Sequence, residues 1–289
     1  MLIDTHAHIQ FDAYRDDRDE VIERMRERGI IANVVGTQQT TSRRAVLLAE
    51  QHEFLYASIG THPIHLHSTH VDEEETSFRS REEGFDEVYY EKLVQSPKVI
   101  GIGECGIDLY HLPHDIPKET VLAKQTEVFL DHLRFAEKYG LPMVIHCREA
   151  HDELLDILEG EGRPVRGTIH CYTGDWSHAK RYLALGLHLG FTGVVTFPPR
   201  KTDPQTQLDL LDVVRRMPLD RMLVETDSPY LAPQAYRGGR AEPWMVEEVV
   251  AKIAEIRSVT PEEIEQVIAE NTLGLFDRIR LPERFTASL

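Results

Sequence analysis

The stretch IDTHAHI at residues 3–9 has the alternating apolar and polar pattern of a short β-strand, and it carries two histidines. His6 and His8 lie two positions apart, and since side chains alternate across a strand, both imidazoles point to the same side. Taken alone, this pair fits a hydrogen-bonded core position as well as it fits a metal site. The pattern of the remaining strands decides between a core position and a metal site.

Seven further strand-like runs follow the first, beginning near residues 30, 54, 98, 142, 167, 187 and 222. The stretches between them carry apolar residues at helical spacing, and several of them end in glycine. Eight strand–helix repeats in 289 residues predict a (β/α)8 TIM barrel that forms a single domain over residues 1–289. A doubly wound open sheet shows the same alternation and stays open as an alternative at this point.

Two segments depart from this alternation. Residues 65–86 are polar and acidic with no clear period, which predicts a mobile loop after the third strand, on the side where a barrel holds its active site. Such a loop would either repel a polyanion or close over the site as a lid. Residues 260–277 predict a closing C-terminal helix, capped by Thr260 and with Pro261 at its first position.

The formal net charge of −17 excludes proteins that hold nucleic acid through a basic overall field. A phosphate-bearing substrate needs local positive charge instead, and bound metal ions are the strongest local source. No apolar run approaches the roughly 18 residues of a membrane span, and the first residues lack a secretory pattern, so we expect a cytoplasmic protein without membrane contact. Three cysteines without C-x-x-C spacing agree with a reducing compartment.

Ionisable residues recur at the C-terminal ends of six predicted strands. In a barrel these ends meet at one mouth, so residues that are far apart in sequence become neighbours. Burying such groups without partners costs several kcal/mol, whereas coordination to metal satisfies them. The seven residues are His6, His8, His62, Glu104, His146, His170 and Asp227.

Six of these residues are the expected metal ligands, which is more than one tetrahedral ion needs. We therefore expect two divalent ions about 3.5–4 Å apart, with Glu104 as a bridge between them. Mixed imidazole and carboxylate ligation favours Zn²⁺, Mn²⁺ or Co²⁺ and leaves Mg²⁺ open. His6, His8 and Asp227 would complete one ion, and His146 and His170 the other.

Five motifs, in this order, resemble the landmarks of the TatD family of metal-dependent deoxyribonucleases, which belongs to the amidohydrolase superfamily of TIM barrels. The resemblance runs from Asp4 to NTLGLF near residue 271, nearly the whole chain. It implies a two-metal hydrolase of DNA phosphodiesters, often a 3′-to-5′ exonuclease, with metal roles for the same six residues. The motifs are DTHAH at 4–8, IGECGID at 102–108, VIHCR at 144–148, IHCYTG at 169–174 and ETDSPYL at 225–231.

The expected mechanism uses a water activated by the two ions. Asp227 would orient that water and accept its proton, while Glu104 holds both ions. The resemblance implies that His62 lies beside the metals and contacts the substrate phosphate. Arg148 is expected to bind phosphate oxygens through its planar guanidinium, although pairing with Glu149 or Asp152 is an equal alternative.

Further substrate contacts are expected from aromatic and basic residues near the mouth. Tyr172, Phe197 and Tyr230 would stack on a base, or serve only in packing. Arg240 belongs to RAEP at 240–243, which resembles the family's R-N-E-P motif except that Ala241 replaces the asparagine. The departure removes any contact that the asparagine side chain makes.

The expected partner is DNA, single-stranded or at a 3′ end, and we expect a monomer. One alternative is an amidohydrolase-type enzyme for another ester or amide, such as a mischarged aminoacyl-tRNA or a small cyclic amide. Many such sites use a carboxylated lysine where this chain has Glu104, which favours the deoxyribonuclease. A second alternative is a metal-binding protein without catalysis, but structural zinc sites usually use cysteine.

Overall fold

Eight parallel strands form the predicted barrel in the computed structural model, which describes residues 1–67, 70–73, 76–79 and 82–282. Each strand pairs in parallel with its neighbour, and all eight predicted strand positions are confirmed. The barrel strands, in spatial order, are β1 (Leu2–Ala7), β2 (Ile30–Val35), β3 (Leu55–Ile59), β6 (Val99–Asp108), β7 (Met143–Arg148), β8 (Gly167–Ile169), β9 (His188–Phe191) and β10 (Met222–Val224).

Helices follow the strands and cover the outside of the barrel. Among the residues described, no helix combines the length and the apolar character that crossing a bilayer requires. The helices are α1 (Arg18–Arg28), α2 (Gln39–Gln51), α3 (Glu87–Leu93), α4 (Lys118–Tyr139), α5 (His151–Gly160), α6 (Trp176–Ala184), α7 (Pro204–Arg216), α8 (Val246–Arg257) and α9 (Pro261–Leu275).

The predicted closing helix corresponds to α9, which packs against β1, β10 and α8. Thr260 caps it, since its hydroxyl accepts the backbone N–H of Glu263 at 3.2 Å, and the Glu263 carboxylate accepts the Thr260 N–H at 2.8 Å. Pro261 occupies the first helical position, where its missing N–H costs nothing. The helix ends at Leu275, two residues before the end of the predicted segment.

The seam between β1 and β10 makes the sheet a barrel rather than an open sheet. Ala7 and Ser228 form a parallel bridge, and the backbone N–H of Asp227 donates to the carbonyl of His6 at 2.8 Å. The buried carboxylate of Asp4 accepts the N–H and the hydroxyl of Thr226 at 2.9 and 2.6 Å. These bonds fix the end of β10 beside the end of β1, so Asp227 lies next to the two histidines of IDTHAHI.

The segment predicted as an irregular loop at residues 65–86 contains an antiparallel hairpin. Its strands are β4 (His70–Glu73) and β5 (Thr76–Arg79). The sequence pattern did not predict this hairpin, although β-formers such as Val71 and Phe78 lie between the acidic residues. The expectation of a mobile loop stays a prediction. The expected roles as a repelling surface or a lid concern side chains outside the described residues and stay predictions.

His132 on α4 predicts a loss of stability in mild acid. Its Nδ1–H donates to the Val128 carbonyl at 2.7 Å, and its Nε2 accepts the Thr61 N–H at 2.9 Å, so the ring is held neutral. Burial lowers its pKa to about 4 from the ordinary 6.5. The unfolded chain therefore takes up the proton first, and stability falls as pH drops from 6.5 towards 4.

Between pH 7 and pH 4.5, this histidine should remove about 2 kcal/mol from the free energy of unfolding. Urea denaturation of metal-stripped protein at both pH values measures the effect. Glutamine does not titrate, so the free energy of unfolding of His132→Gln should fall by about 2 kcal/mol less than that of the wild type between pH 7 and pH 4.5. An equal pH dependence in the two proteins would show that protonation of His132 does not govern acid stability.

Candidate metal centre

The barrel brings all seven ionisable residues predicted at strand ends to its mouth. His6, Glu104 and His146 lie within strands, and the others follow the ends of strands by one to three residues. Most of these side chains are buried, with Asp227 and His146 partly exposed. Three overlapping groups have ligand atoms within 4.8 Å of one another, namely His6–His8–Asp227, His6–Glu104–His170 and His62–Glu104–His146.

One half of the cluster contains the two histidines of the first strand and Asp227. Nε2 of His6 lies 3.2 Å from Nε2 of His8, so both rings face the same point. Asp227 Oδ1 lies 3.3 Å from His8 Nε2 and 3.7 Å from His6 Nε2. Oε2 of Glu104 completes this half at 3.2 Å from His6 Nε2 and 3.8 Å from His8 Nε2.

The other half of the cluster surrounds the second carboxylate oxygen of Glu104. Oε1 lies 2.9 Å from His170 Nε2, 3.0 Å from His146 Nδ1 and 3.3 Å from His62 Nε2. Glu104 is only 3% exposed, so its carboxylate is fixed between the two sets of imidazoles. One oxygen of this side chain therefore serves each half.

The second ring nitrogens indicate where the lone pairs of these histidines point. His8 Nδ1 lies 2.7 Å from the Val35 carbonyl, which only accepts, so Nδ1 carries the proton and Nε2 presents a lone pair to the cluster. His146 Nε2 lies 3.2 Å from Asp108 Oδ2, which assigns its proton in the same way. Lone pairs facing carboxylate oxygens at about 3 Å repel each other unless a cation lies between them. The donor set thus fits a divalent metal ion.

The electrostatics of the cluster agree with this fit. Burial raises the pKa of Glu104, but the charge of His170 outweighs burial and holds that pKa well below its usual range. Burial lowers the pKa of His170, yet Glu104 and Glu225 raise it well above its ordinary value. The cluster therefore keeps its carboxylate ionised and attracts positive charge.

Two buried carboxylates that were not predicted as site residues contact the outer nitrogens of cluster histidines. Asp108 is 1% exposed, and its Oδ2 contacts His146 Nε2. Glu225 is fully buried, and its Oε1 lies 3.5 Å from His170 Nδ1. Both residues lie inside the family motifs: Asp108 is four positions after Glu104, and Glu225 is two positions before Asp227. Their place in these motifs was the signal in the sequence that could have identified them.

Close packing holds Glu225 in this place. Its carboxylate accepts the backbone N–H of Cys171 and the Thr5 hydroxyl, the latter at 3.3 Å. A Cβ at Gly190 would lie 2.5 Å from Glu225 Oε2, so glycine is needed there for the carboxylate to fit. Glu225 therefore orients the ring of His170.

We expect Glu225→Gln to weaken metal binding about 10–100-fold without unfolding the barrel, because an amide does not hold the His170 ring as a carboxylate does. Competition with a chromogenic chelator measures the affinity. Glu242→Gln is the matched control, since Glu242 pairs with Arg24 at 2.8 Å outside the cluster. Wild-type affinity in Glu225→Gln would contradict the orienting role.

Three of the predicted substrate residues contact neighbouring rings or guanidinium groups. The guanidinium carbon of Arg148 lies 4.0 Å from the ring centre of Tyr110. The ring of Tyr230 is 6.3 Å from that of His8, and Phe197 lies beneath Arg237 at 4.1 Å. The substrate roles of Arg148, Tyr230 and Phe197 stay predictions.

The structure does not support two of the predicted substrate residues. Tyr172 is 2% exposed, and its hydroxyl donates to the Asp175 carbonyl at 2.6 Å, so the ring offers no face to a base. Arg240 donates to Asp17 Oδ1 at 2.8 Å and lies over the ring of Tyr14 at 4.3 Å. Its guanidinium stabilises the segment after β1 rather than facing the cluster.

Comparisons with known proteins agree with this site. The family of TatD related DNases matches residues 3–277. The uncharacterized metal-dependent hydrolase YabD of Bacillus subtilis is 37% identical over 278 residues, which cover 96% of this chain and 99% of YabD. The 3′-5′ ssDNA/RNA exonuclease TatD of Erwinia amylovora is 30% identical over 282 residues, covering 95% of this chain and 99% of that protein.

A solved structure of a TatD homologue shares this fold. YjjV, a TatD homologue from Escherichia coli K12, superimposes with a TM-score of 0.78 at 28% identity, covering 97% of this chain and 98% of YjjV. The family match spans nearly the whole chain and includes every residue of the cluster. The chain therefore belongs to the TatD family, and it is a metal-dependent hydrolase with a (β/α)8 barrel fold.

Proposed function

We propose that this hydrolase cleaves phosphodiester bonds in DNA and removes nucleotides from the 3′ end of single strands. The proposal rests mainly on Glu104, whose two carboxylate oxygens face two separate sets of imidazoles. That arrangement suits two ions sharing one carboxylate, which is typical of sites that hydrolyse phosphate esters. The relative from Erwinia amylovora, which bears the name of a 3′-5′ ssDNA/RNA exonuclease, supports the choice of substrate.

In this proposal the metal residues divide as the distances suggest. His6, His8 and Asp227 would hold one ion, and His146 and His170, which both approach Oε1 of Glu104, the other, with Glu104 shared. Two such ions, when bound, acidify a water molecule and neutralise charge on the phosphoryl group.

Asp227 is proposed to take the proton from the attacking water. Burial raises the pKa of its carboxyl group, but the contact with His8 and the charge of His170 hold it below the usual value. Asp227 is thus ionised at neutral pH. It is also partly exposed at the mouth, where a substrate arrives. A general base in such a position typically contributes about 10²–10⁴-fold to the rate.

His62 is proposed to donate a hydrogen bond to a phosphate oxygen. Burial and the neighbouring charge of His146 lower its pKa to about 4, so the ring is neutral at pH 7. Nδ1 accepts the Ile64 N–H at 3.0 Å, which places the proton on Nε2, the nitrogen that faces the cluster. Arg148 supplies the positive charge that a neutral His62 lacks.

The test is time-resolved cleavage of 5′-labelled single-stranded DNA by chelator-stripped protein to which Mg²⁺, Mn²⁺ or Zn²⁺ is restored separately. We expect a ladder that shortens from the 3′ end only when metal is present. Metal-loaded protein that leaves single-stranded DNA intact would overturn the proposal. Small esters, cyclic amides and aminoacyl-tRNA would then be the next substrates to assay.

A further inference from the structure

Tyr110 is an exposed aromatic residue beside the cluster that the proposed mechanism does not use. It is 54% exposed and lies two residues beyond Asp108, whose carboxylate contacts His146. Among the described residues with large exposed apolar side chains, Tyr110 is the one this near in sequence to a group that touches the cluster. A single exposed ring is common on protein surfaces, so the significance of Tyr110 depends on its position and on the contacts that hold it.

The ring of Tyr110 is held in place on one face and at one edge. Arg148, two residues past His146, covers one face with its guanidinium carbon 4.0 Å from the ring centre. The ring of His111 meets Tyr110 nearly at right angles, with centroids 4.8 Å apart. His111 is itself fixed, because its Nδ1 lies 2.8 Å from Asp108 Oδ2. These contacts orient the ring, and more than half of the residue stays exposed to solvent.

We propose that the exposed face of Tyr110 is a stacking subsite for a nucleobase of the substrate, one or two nucleotides from the scissile phosphate. The inference rests on the proposed function, since it presumes a nucleic acid at the mouth. Stacking on an aromatic face tolerates every base, as a nuclease without sequence preference requires. Arg148 then serves twice, supporting the ring from below and offering charge to the backbone phosphate.

The net charge makes such a contact more important in this protein. A chain of net charge −17 repels a polyanion, so the overall field does not help to hold a strand. Stacking is independent of that field and is not screened by salt. Tyr172, the buried aromatic residue, lacks an accessible face, whereas Tyr110 presents one.

The experiment places a single abasic residue, in turn, at each of the last four positions of a single-stranded oligonucleotide. In the wild-type protein, one position should lower kcat/KM about tenfold, because one stacked base is lost. In Tyr110→Ala, the intact substrate should be slower by about the same factor, and the abasic residue at that position should have no further effect. Tyr110→Phe keeps the ring and should retain the wild-type profile.

Tyr139→Ala is the matched control. Tyr139 also lies under a cation, with Lys138 Nζ 5.5 Å from its ring centre, but at the C-terminal end of α4. Helices of a barrel run opposite to the strands, so this end lies away from the mouth. The abasic profile of this variant should match that of the wild type. Tyr110→Leu, which keeps apolar bulk without an aromatic face, serves as a second test variant and should behave like Tyr110→Ala.

The outcomes separate the two proposals. If wild-type protein cleaves DNA but Tyr110→Ala and Tyr110→Leu keep the same abasic penalty, the stacking subsite is wrong and the nuclease proposal stands. The stacking subsite is equally wrong if no abasic position slows the wild-type protein. If the metal-loaded wild-type protein cleaves no nucleic acid, the proposed function fails first, and the subsite fails with it.

Discussion

Glu104→Ala is expected to reduce hydrolysis at least about a thousandfold while leaving the barrel folded. The residue supplies one oxygen to His6 at 3.2 Å and the other to His170 at 2.9 Å, so its loss opens both halves of the cluster at once. Among the described residues, Asp227 is the other carboxylate of the three candidate ligand groups, and it reaches only the half that contains His6 and His8. Neither half then keeps enough ligands to hold an ion tightly.

Metal content per chain, determined by plasma mass spectrometry after dialysis, measures the expected loss of bound ions in Glu104→Ala. Thermal unfolding measures metal binding in a second way, because an ion that binds only the folded state raises the unfolding temperature. Added metal should raise that temperature in the wild type and leave it unchanged in Glu104→Ala. Glu242→Ala, which removes a carboxylate outside the cluster, should respond like the wild type. A Glu104→Ala protein with two bound ions would show that the shared-carboxylate assignment is wrong.

Asp227→Asn should lower kcat about 10²–10⁴-fold even at saturating metal, because an amide does not accept the proton of the attacking water. The substitution keeps the shape of the side chain, so the hydrogen bond between the residue 227 N–H and the His6 carbonyl persists. Metal binding should weaken in one half only, since His146 and His170 do not depend on Asp227.

Single-turnover rates at a series of metal concentrations separate the two effects of Asp227→Asn. A loss that excess metal restores would mean that Asp227 acts only as a ligand and not as the base. Asp212→Asn provides the control, since Asp212 is an exposed carboxylate that pairs with Arg216 on α7. Its rate should equal that of the wild type.

Much of the cluster was predictable because strand periodicity and barrel geometry are simple rules. His6 and His8 face the same point because alternate residues of a strand share a side. Glu104, His146 and His170 meet because the C-terminal ends of parallel strands in a barrel converge. Neither inference requires knowledge of side-chain packing.

Other parts of the site were not predictable from local pattern. Asp108 and Glu225 are ordinary acidic residues in the sequence, and their importance depends on which ring nitrogen of His146 and His170 faces outward. The hairpin β4–β5 was missed because acidic residues concealed its short alternation. For Tyr172 the sequence left open base stacking and simple packing, and its burial in the structure fits packing.

The sequence by itself determined the eight strand–helix repeats, the strand ends that carry the cluster and the chemical nature of its donors. All three follow from residue type and spacing along the chain, which are local properties. Only the tertiary structure decided which oxygen of Glu104 faces which histidines, that Arg240 binds Asp17, and that Tyr110 stays exposed beside Arg148. Those features depend on contacts between segments far apart in sequence, and the direction of a side chain is fixed only when its neighbours are in place.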